Sequence, residues 1–128
     1  MISSGDVWQR QAAQLRPRLH VGSLIEMELE IRTTTKTREE AQTIAREAVS
    51  RRMCACAHID EIESFYTWEG QMETGTEYRL TLKSTDAVFP RVADLIRELH
   101  SYDEPAIYCF SIDDGSRSYL KWIDDNSR

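Results

Sequence analysis

The sequence predicts an α+β domain whose elements run β-α-β-β-α-β, with one further helix at the C-terminal end. Three observations predict it. Apolar and charged residues alternate along residues 25–32 and 76–84, the period of a strand with one buried face. Residues 38–52 and 86–100 carry apolar side chains at helical spacing. A glycine turn at Trp68-Glu69-Gly70-Gln71 joins two long extended stretches into a hairpin.

The domain occupies residues 25–128 and follows an extension, residues 1–24. In the extension Trp8, Ala12 and Leu15 suit one short amphipathic helix, stopped by Pro17, with a break at Gly22-Ser23. Strand one puts Ile25, Met27, Leu29 and Ile31 on one face and Glu26, Glu28, Glu30 and Arg32 on the other. Thr37-Arg38-Glu39-Glu40 is a capping-box pattern that starts helix one. Its apolar stripe is Ala41, Ile44, Ala45, Ala48 and Val49, and Arg51 and Arg52 fall in its last turn, where the helix dipole favours cations.

Strand two runs from about Cys54 to Thr67, with a bulge expected near residues 58–61. Strand three covers about Thr76–Ser84, with Tyr78, Leu80 and Leu82 facing one way and Glu77, Arg79, Thr81 and Lys83 the other. Helix two spans about Asp86–His100; Pro90 falls in its first turn, where a missing N–H costs little. Phe89, Val92, Ile96 and Leu99 form its buried stripe. Strand four is about Ala106–Ile112, with Tyr108, Phe110 and Ile112 on one face. A turn at Asp113-Asp114-Gly115 leads to a last helix carrying Tyr119, Leu120, Trp122 and Ile123. This order is that of the ferredoxin-like sandwich, an antiparallel sheet with helices on one face. The other face must meet water or another subunit.

Composition narrows the function classes. The 128 residues are 41% hydrophobic and 30% charged, ordinary for a globular domain, with a formal net charge of −6. An acidic balance argues against a nucleic-acid surface and against docking on anionic lipid. No apolar run approaches a membrane span, and residues 1–24 lack an apolar leader core, so a cytoplasmic protein is expected. Three cysteines, Cys54, Cys56 and Cys109, do not make a disulfide framework. The Cys54-Ala55-Cys56 spacing puts two reduced thiols on one strand face. No phosphate loop and no Ser-His-Asp order is present.

Five blocks carry a resemblance: Met53-Cys54-Ala55-Cys56-Ala57-His58-Ile59, Tyr66-Thr67-Trp68-Glu69-Gly70-Gln71, the strand from Glu77 to Thr85, Leu99-His100-Ser101-Tyr102-Asp103-Glu104-Pro105, and Tyr119-Leu120-Lys121-Trp122. In this order and spacing, over residues 25–125, the chain resembles the CutA family of divalent-cation tolerance proteins. The resemblance implies a homotrimer whose sheets surround a threefold axis and whose long hairpins cross subunit boundaries. It implies tolerance of copper and other divalent metals, and it brings no established catalytic reaction. Ala106 stands where the family has Glu, and His58 where it has Asn.

Two kinds of site stay open. For a divalent metal such as copper, Cys56 and His100 are the candidate ligands, since such ions take thiolate and imidazole. The competing roles are a packed thiol for Cys56 and a helix C-terminal cap for His100. For a small polar or anionic ligand in a pocket between subunits, the candidates are Lys83, Arg79, Trp68, Tyr66, Tyr102 and Glu28. Arg79 would grip a carboxylate, Lys83 would supply charge, the aromatics would wall the pocket, and Glu28 would do acid–base work. The competing role for the charged face is cross-strand ion pairing. The binding or regulatory trimer is one reading of function; an enzyme or small-molecule sensor that reuses the trimer, with its site near Arg79 and Lys83, is the other.

Overall fold

The computed structural model describes residues 27–128. The extension, its expected helix, Ile25 and Glu26 lie outside the described residues. The elements are β1 (Glu28–Thr35), α1 (Arg38–Ser50), β2 (Cys56–Trp68), β3 (Gln71–Thr85), α2 (Phe89–Leu99), β4 (Tyr108–Ser111) and α3 (Arg117–Asp125). The four strands form one antiparallel sheet in the order β2-β3-β1-β4. The fold is therefore the α+β ferredoxin-like sandwich with a C-terminal helix. No helix of the described residues is long and apolar enough to cross a membrane.

Alternation decides which face is buried. Met27 just before β1, Leu29 and Ile31 of β1, and Leu80 and Leu82 of β3 are at most 1% exposed. They pack with Ile44 and Ala48 of α1, with Phe89, Val92 and Ile96 of α2, and with Cys109 of β4. One residue out of phase, Glu30, Arg32, Arg79, Thr81 and Lys83 face away from the helices. A second link ties the start of β1 to the entry of α2. The Met27 amide donates to Asp86 Oδ1 and the Asp86 amide to the Met27 carbonyl, both at 2.9 Å.

Several expectations shift. β1 runs on through Thr33-Thr34-Thr35, which pair with Leu80, Arg79 and Tyr78; β-branched residues suit a pleated strand. No bulge interrupts β2, whose register with β3 is unbroken from Cys56↔Lys83 to Trp68↔Gln71. Arg51 and Arg52 lie just past α1 rather than in its last turn. Arg51 pairs with Glu47 at 3.0 Å, and Arg52, at φ 60°, donates to the Asp125 carbonyl. Thr37 caps α1 by accepting from the Glu40 amide at 3.1 Å, but the Glu40 carboxylate turns to Ser101 instead of closing the box. Val49 is exposed, so the α1 stripe is Ala41, Ile44 and Ala48 with Ala45 at its margin. Helix α2 ends at Leu99, and β4 is only four residues long, ending before Ile112.

The cysteines separate. Cys54 precedes β2 and is buried in the core, whereas Cys56 pairs with Lys83 on the opposite face. The strand period does not hold across the irregular residues between Arg52 and Cys56, so the two thiols do not share a face.

The β2–β3 hairpin outruns the sheet. β1 ends where Thr35 meets Tyr78, and seven more residues of β3 continue to Gln71. At ~3.3 Å per residue the hairpin projects roughly 23 Å past its neighbour. Glu69 (φ 50°) and Gly70 (φ 77°) make the two-residue turn at its tip, a left-handed pair that matches strand twist.

Candidate functional site

The register lays three rows of side chains across the outer face. Cys56, Lys83, Glu30 and Phe110 form one row; His58, Thr81, Arg32 and Tyr108 the next; Asp60, Arg79 and Thr34 the third. Helix α3 packs against β1 and β3. Its Tyr119 reaches the outer face, where the Lys83 ammonium donates to the Tyr119 hydroxyl at 3.2 Å. Lys83 also lies 3.6 Å from Glu30 and 5.7 Å from the Tyr119 ring centre. Burial pushes the Lys83 pKa down, but Tyr119, with Cys56 and Glu30, more than offsets it and the net shift is upward. Lys83 is therefore a held, charged ammonium.

Arg79 is committed elsewhere. Its Nε and Nη2 donate to the two carboxylate oxygens of Asp60 at 3.3 and 2.8 Å, a two-pronged pair across β2 and β3. A ligand would have to compete with Asp60 for this guanidinium. Glu28 is 2% exposed and engaged in contacts of its own, so it is not an open acid or base on the face.

A second group gathers at the stalk of the hairpin. The Tyr102 hydroxyl donates to Glu77 Oε2 at 2.9 Å. Burial first, then the Glu77 bond, then neighbouring charge that includes Tyr66, push the Tyr102 pKa upward. The His100 ring lies against Tyr102, tilted by 47° with ring centres 4.9 Å apart. Its Nε2 lies 2.7 Å from the Thr34 carbonyl, and its Nδ1 accepts from the Tyr102 amide at 3.0 Å. A carbonyl only accepts, so Nε2 carries the proton and both ring nitrogens are in use. Tyr102→Phe is expected to lower the unfolding free energy by about 1–2 kcal/mol, the worth of a bond to a charged acceptor, read by urea melts at fixed chain concentration. An unchanged midpoint would show that the hydroxyl exchanges freely with water.

The structure thus brings Lys83 and Arg79 onto one face and Tyr66 and Tyr102 to the stalk. It does not bring Trp68 to either. Trp68 sits opposite Gln71 at the tip, eight residues from Arg79, or about 26 Å along the strand. Cys56 and His100 do not meet. Cys56 lies in the row of Glu30, while His100 touches Thr34, four residues and about 13 Å further along β1. Among the described residues no three of His, Cys, Asp and Glu gather in a metal-holding cluster. Within one chain these donors do not fit a metal centre. A cleft of about 210 Å³ lined by Arg51, Met53, Arg91 and Leu95 lies on the helix side and includes none of the candidates.

Sequence reasoning placed Glu30 and Arg32 on the charged face without naming them as ligand candidates, and it missed Asp60, Phe110 and Tyr119 as members of the face. Strand parity could have found Asp60 and Phe110 once the register was known. Tyr119 had no local signal, because its contact is 36 residues away.

Comparison with known proteins decides the family. The model of the family described as CutA1 divalent ion tolerance protein matches residues 29–126. The chain belongs to the CutA1 family. The divalent-cation tolerance protein CutA of Archaeoglobus fulgidus is 36% identical over 92 residues, covering 72% of this chain and 90% of the relative. That of Thermus thermophilus is 34% identical over 102 residues, covering 79% and 99%. The solved structure of the periplasmic divalent cation tolerance protein CutA from Archaeoglobus fulgidus superposes with a TM-score of 0.77 at 34% identity, covering 80% of this chain and all of that one. Rice CutA1 gives a TM-score of 0.78 at 27% identity, covering 83% and 98%. These neighbours share the four-stranded sheet and its helices.

Proposed function

We propose that the chain works as a homotrimeric binding or regulatory protein in the tolerance of divalent metals, copper among them. The observation that carries this reading is the projecting hairpin. Phe65, Tyr66, Trp68 and Met72 are 46–69% exposed on two strands that no third strand of the described residues supports. An isolated two-stranded hairpin is marginal in water, and exposed aromatics of this size mark an interaction surface. A second copy that receives the hairpin would bury them. The names of the family's characterised members support the metal role. Since the described residues of one chain do not assemble a metal-holding cluster, copper ligands in this reading come from more than one copy.

Two measurements test it. Light scattering should return three times the 14.9 kDa chain mass, and a Phe65→Ser, Trp68→Ser, Met72→Ser variant should return a smaller species with its sheet intact. A monomeric native chain would end the trimer reading. In cells lacking their own CutA protein, expression of the chain should raise the copper concentration that stops growth, and the triple variant should not. Equal copper sensitivity with and without the chain would end the tolerance reading.

A further inference from the structure

Two cations on the outer face share one carboxylate. Glu30 Oε2 accepts from Arg32 Nη2 at 3.2 Å, and its Oε1 lies 3.6 Å from Lys83 Nζ. Both cations are withdrawn from solvent, with side chains 13% exposed for Lys83 and 28% for Arg32. Asp60 is occupied by Arg79, and Glu28, two residues before Glu30 on the same strand face and opposite Thr85, is buried in contacts of its own. Arg32 Nε is buried and has no acceptor among the described residues. A buried donor on a charged group is costly when unpaired, and native structures supply a partner for nearly all of them.

We propose that this face binds a small oxyanion, a carboxylate or phosphate group, between Arg32 and Lys83. Nε and Nη2 lie along one edge of the guanidinium, the fork that matches two oxygens of such a group. Lys83 gives one N–H to Tyr119 and has donors left for the same anion. The Phe110 ring, 5.2 Å from Arg32 Cζ, and the Tyr119 ring wall the sides. Phe110 is half exposed, so an apolar portion of the ligand has a surface to lie on. β1, β3, β4 and α3 of a single chain build the site. The inference goes beyond the metal-tolerance reading and requires no metal.

The test uses the full-length chain, dialysed with a chelator and labelled with nitrogen-15. The Arg32 Nε–H signal is followed during titration with inorganic phosphate and, separately, with succinate. Sodium chloride at matched ionic strength is the control. The signal is expected to shift saturably and to gain protection from exchange with one or both oxyanions but not with chloride; which of them saturates names the group. Arg32→Lys keeps the charge but loses the fork and should weaken binding about tenfold or more. Arg79→Gln, outside the site, should leave it within about twofold. Circular dichroism confirms that both variants fold. Absence of a saturable shift with either oxyanion overturns the proposal. So does an Nε–H that is already protected without added anion and loses protection when copies are separated by dilution, because the acceptor is then a side chain of a second copy.

Discussion

Replacing Ile31 by alanine is expected to remove about 3–4 kcal/mol of unfolding free energy, within the 2–5 kcal/mol usual for a large aliphatic cut to alanine in a core. Ile31 is fully buried on a central strand, flanked by Leu82 on β3 and Cys109 on β4. Neighbours on both sides are tied by sheet hydrogen bonds and covered by helices, so the site collapses little when three carbons are removed. The loss is the transfer free energy of the side chain plus the cavity it leaves. Val49→Ala is the matched control: the same helical stripe suggested burial, but the side chain is 39% exposed and should cost under about 0.5 kcal/mol. Urea midpoints at one chain concentration measure both, which holds any contribution of assembly constant. A loss under about 1 kcal/mol for Ile31→Ala would mean that the core closes over the gap.

Stability is expected to fall steeply above pH 9. Burial, with a smaller contribution from the charge of Cys56, pushes the Cys54 thiol from 9.0 to about 12. Burial, with a smaller contribution from Asp86, pushes the Cys109 thiol from 9.0 to about 11. Both are thus protonated in the folded chain at a pH where the unfolded chain has already lost those protons. Where the unfolded state binds fewer protons, stability declines as pH rises. The thiols cost nothing below about pH 9, and their penalty grows until pH passes the folded values. At about 1.4 kcal/mol per pH unit for each thiol, the two together remove roughly 4–5 kcal/mol by pH 11. The upward shifts of Tyr102 and Lys83 act in the same direction. Urea unfolding between pH 7 and 11 measures the slope, and a Cys54→Ala, Cys109→Ala variant should flatten it while starting from a lower stability at pH 7. An unchanged slope in that variant would assign the alkaline loss to other groups. Cys56, on the outer face, should react with a thiol reagent in the folded chain while Cys54 and Cys109 stay protected.

Much of the fold was legible because its signals are local. The alternation in Leu29-Glu30-Ile31-Arg32 and Leu80-Thr81-Leu82-Lys83 identifies strands and assigns each side chain to a face without knowledge of any partner. Thr37, Pro90 and Gly70 mark a cap, a helix entry and a turn by their own backbone chemistry. The candidate site was legible only as a parity class. Lys83 and Arg79 share a face by spacing alone, but spacing is silent on partners. Arg79 found Asp60 on β2 rather than a glutamate of β1, and Lys83 found Tyr119 on a helix as well as the expected cross-strand Glu30.

Helical periodicity erred where exposure depends on the neighbouring element. Val49 has the right phase, but its side chain is 39% exposed, so the packing leaves that part of α1 open. Strand periodicity erred at Cys54 and Cys56, where the backbone is not extended throughout. His100 is the clearest case for tertiary structure. As a residue at a helix end it reads equally as a cap or a ligand, and the Thr34 carbonyl, 66 residues away, occupies one nitrogen.

By itself the sequence determined the element order, the buried and charged faces of the sheet, and the family, because periodicity and short motifs are written in neighbouring residues. Only the tertiary structure decided which charges are paired, which thiols are buried, and that Glu30 serves two cations while Arg32 Nε is left without an acceptor. Those outcomes depend on register, and register is set by contacts between strands far apart in the chain.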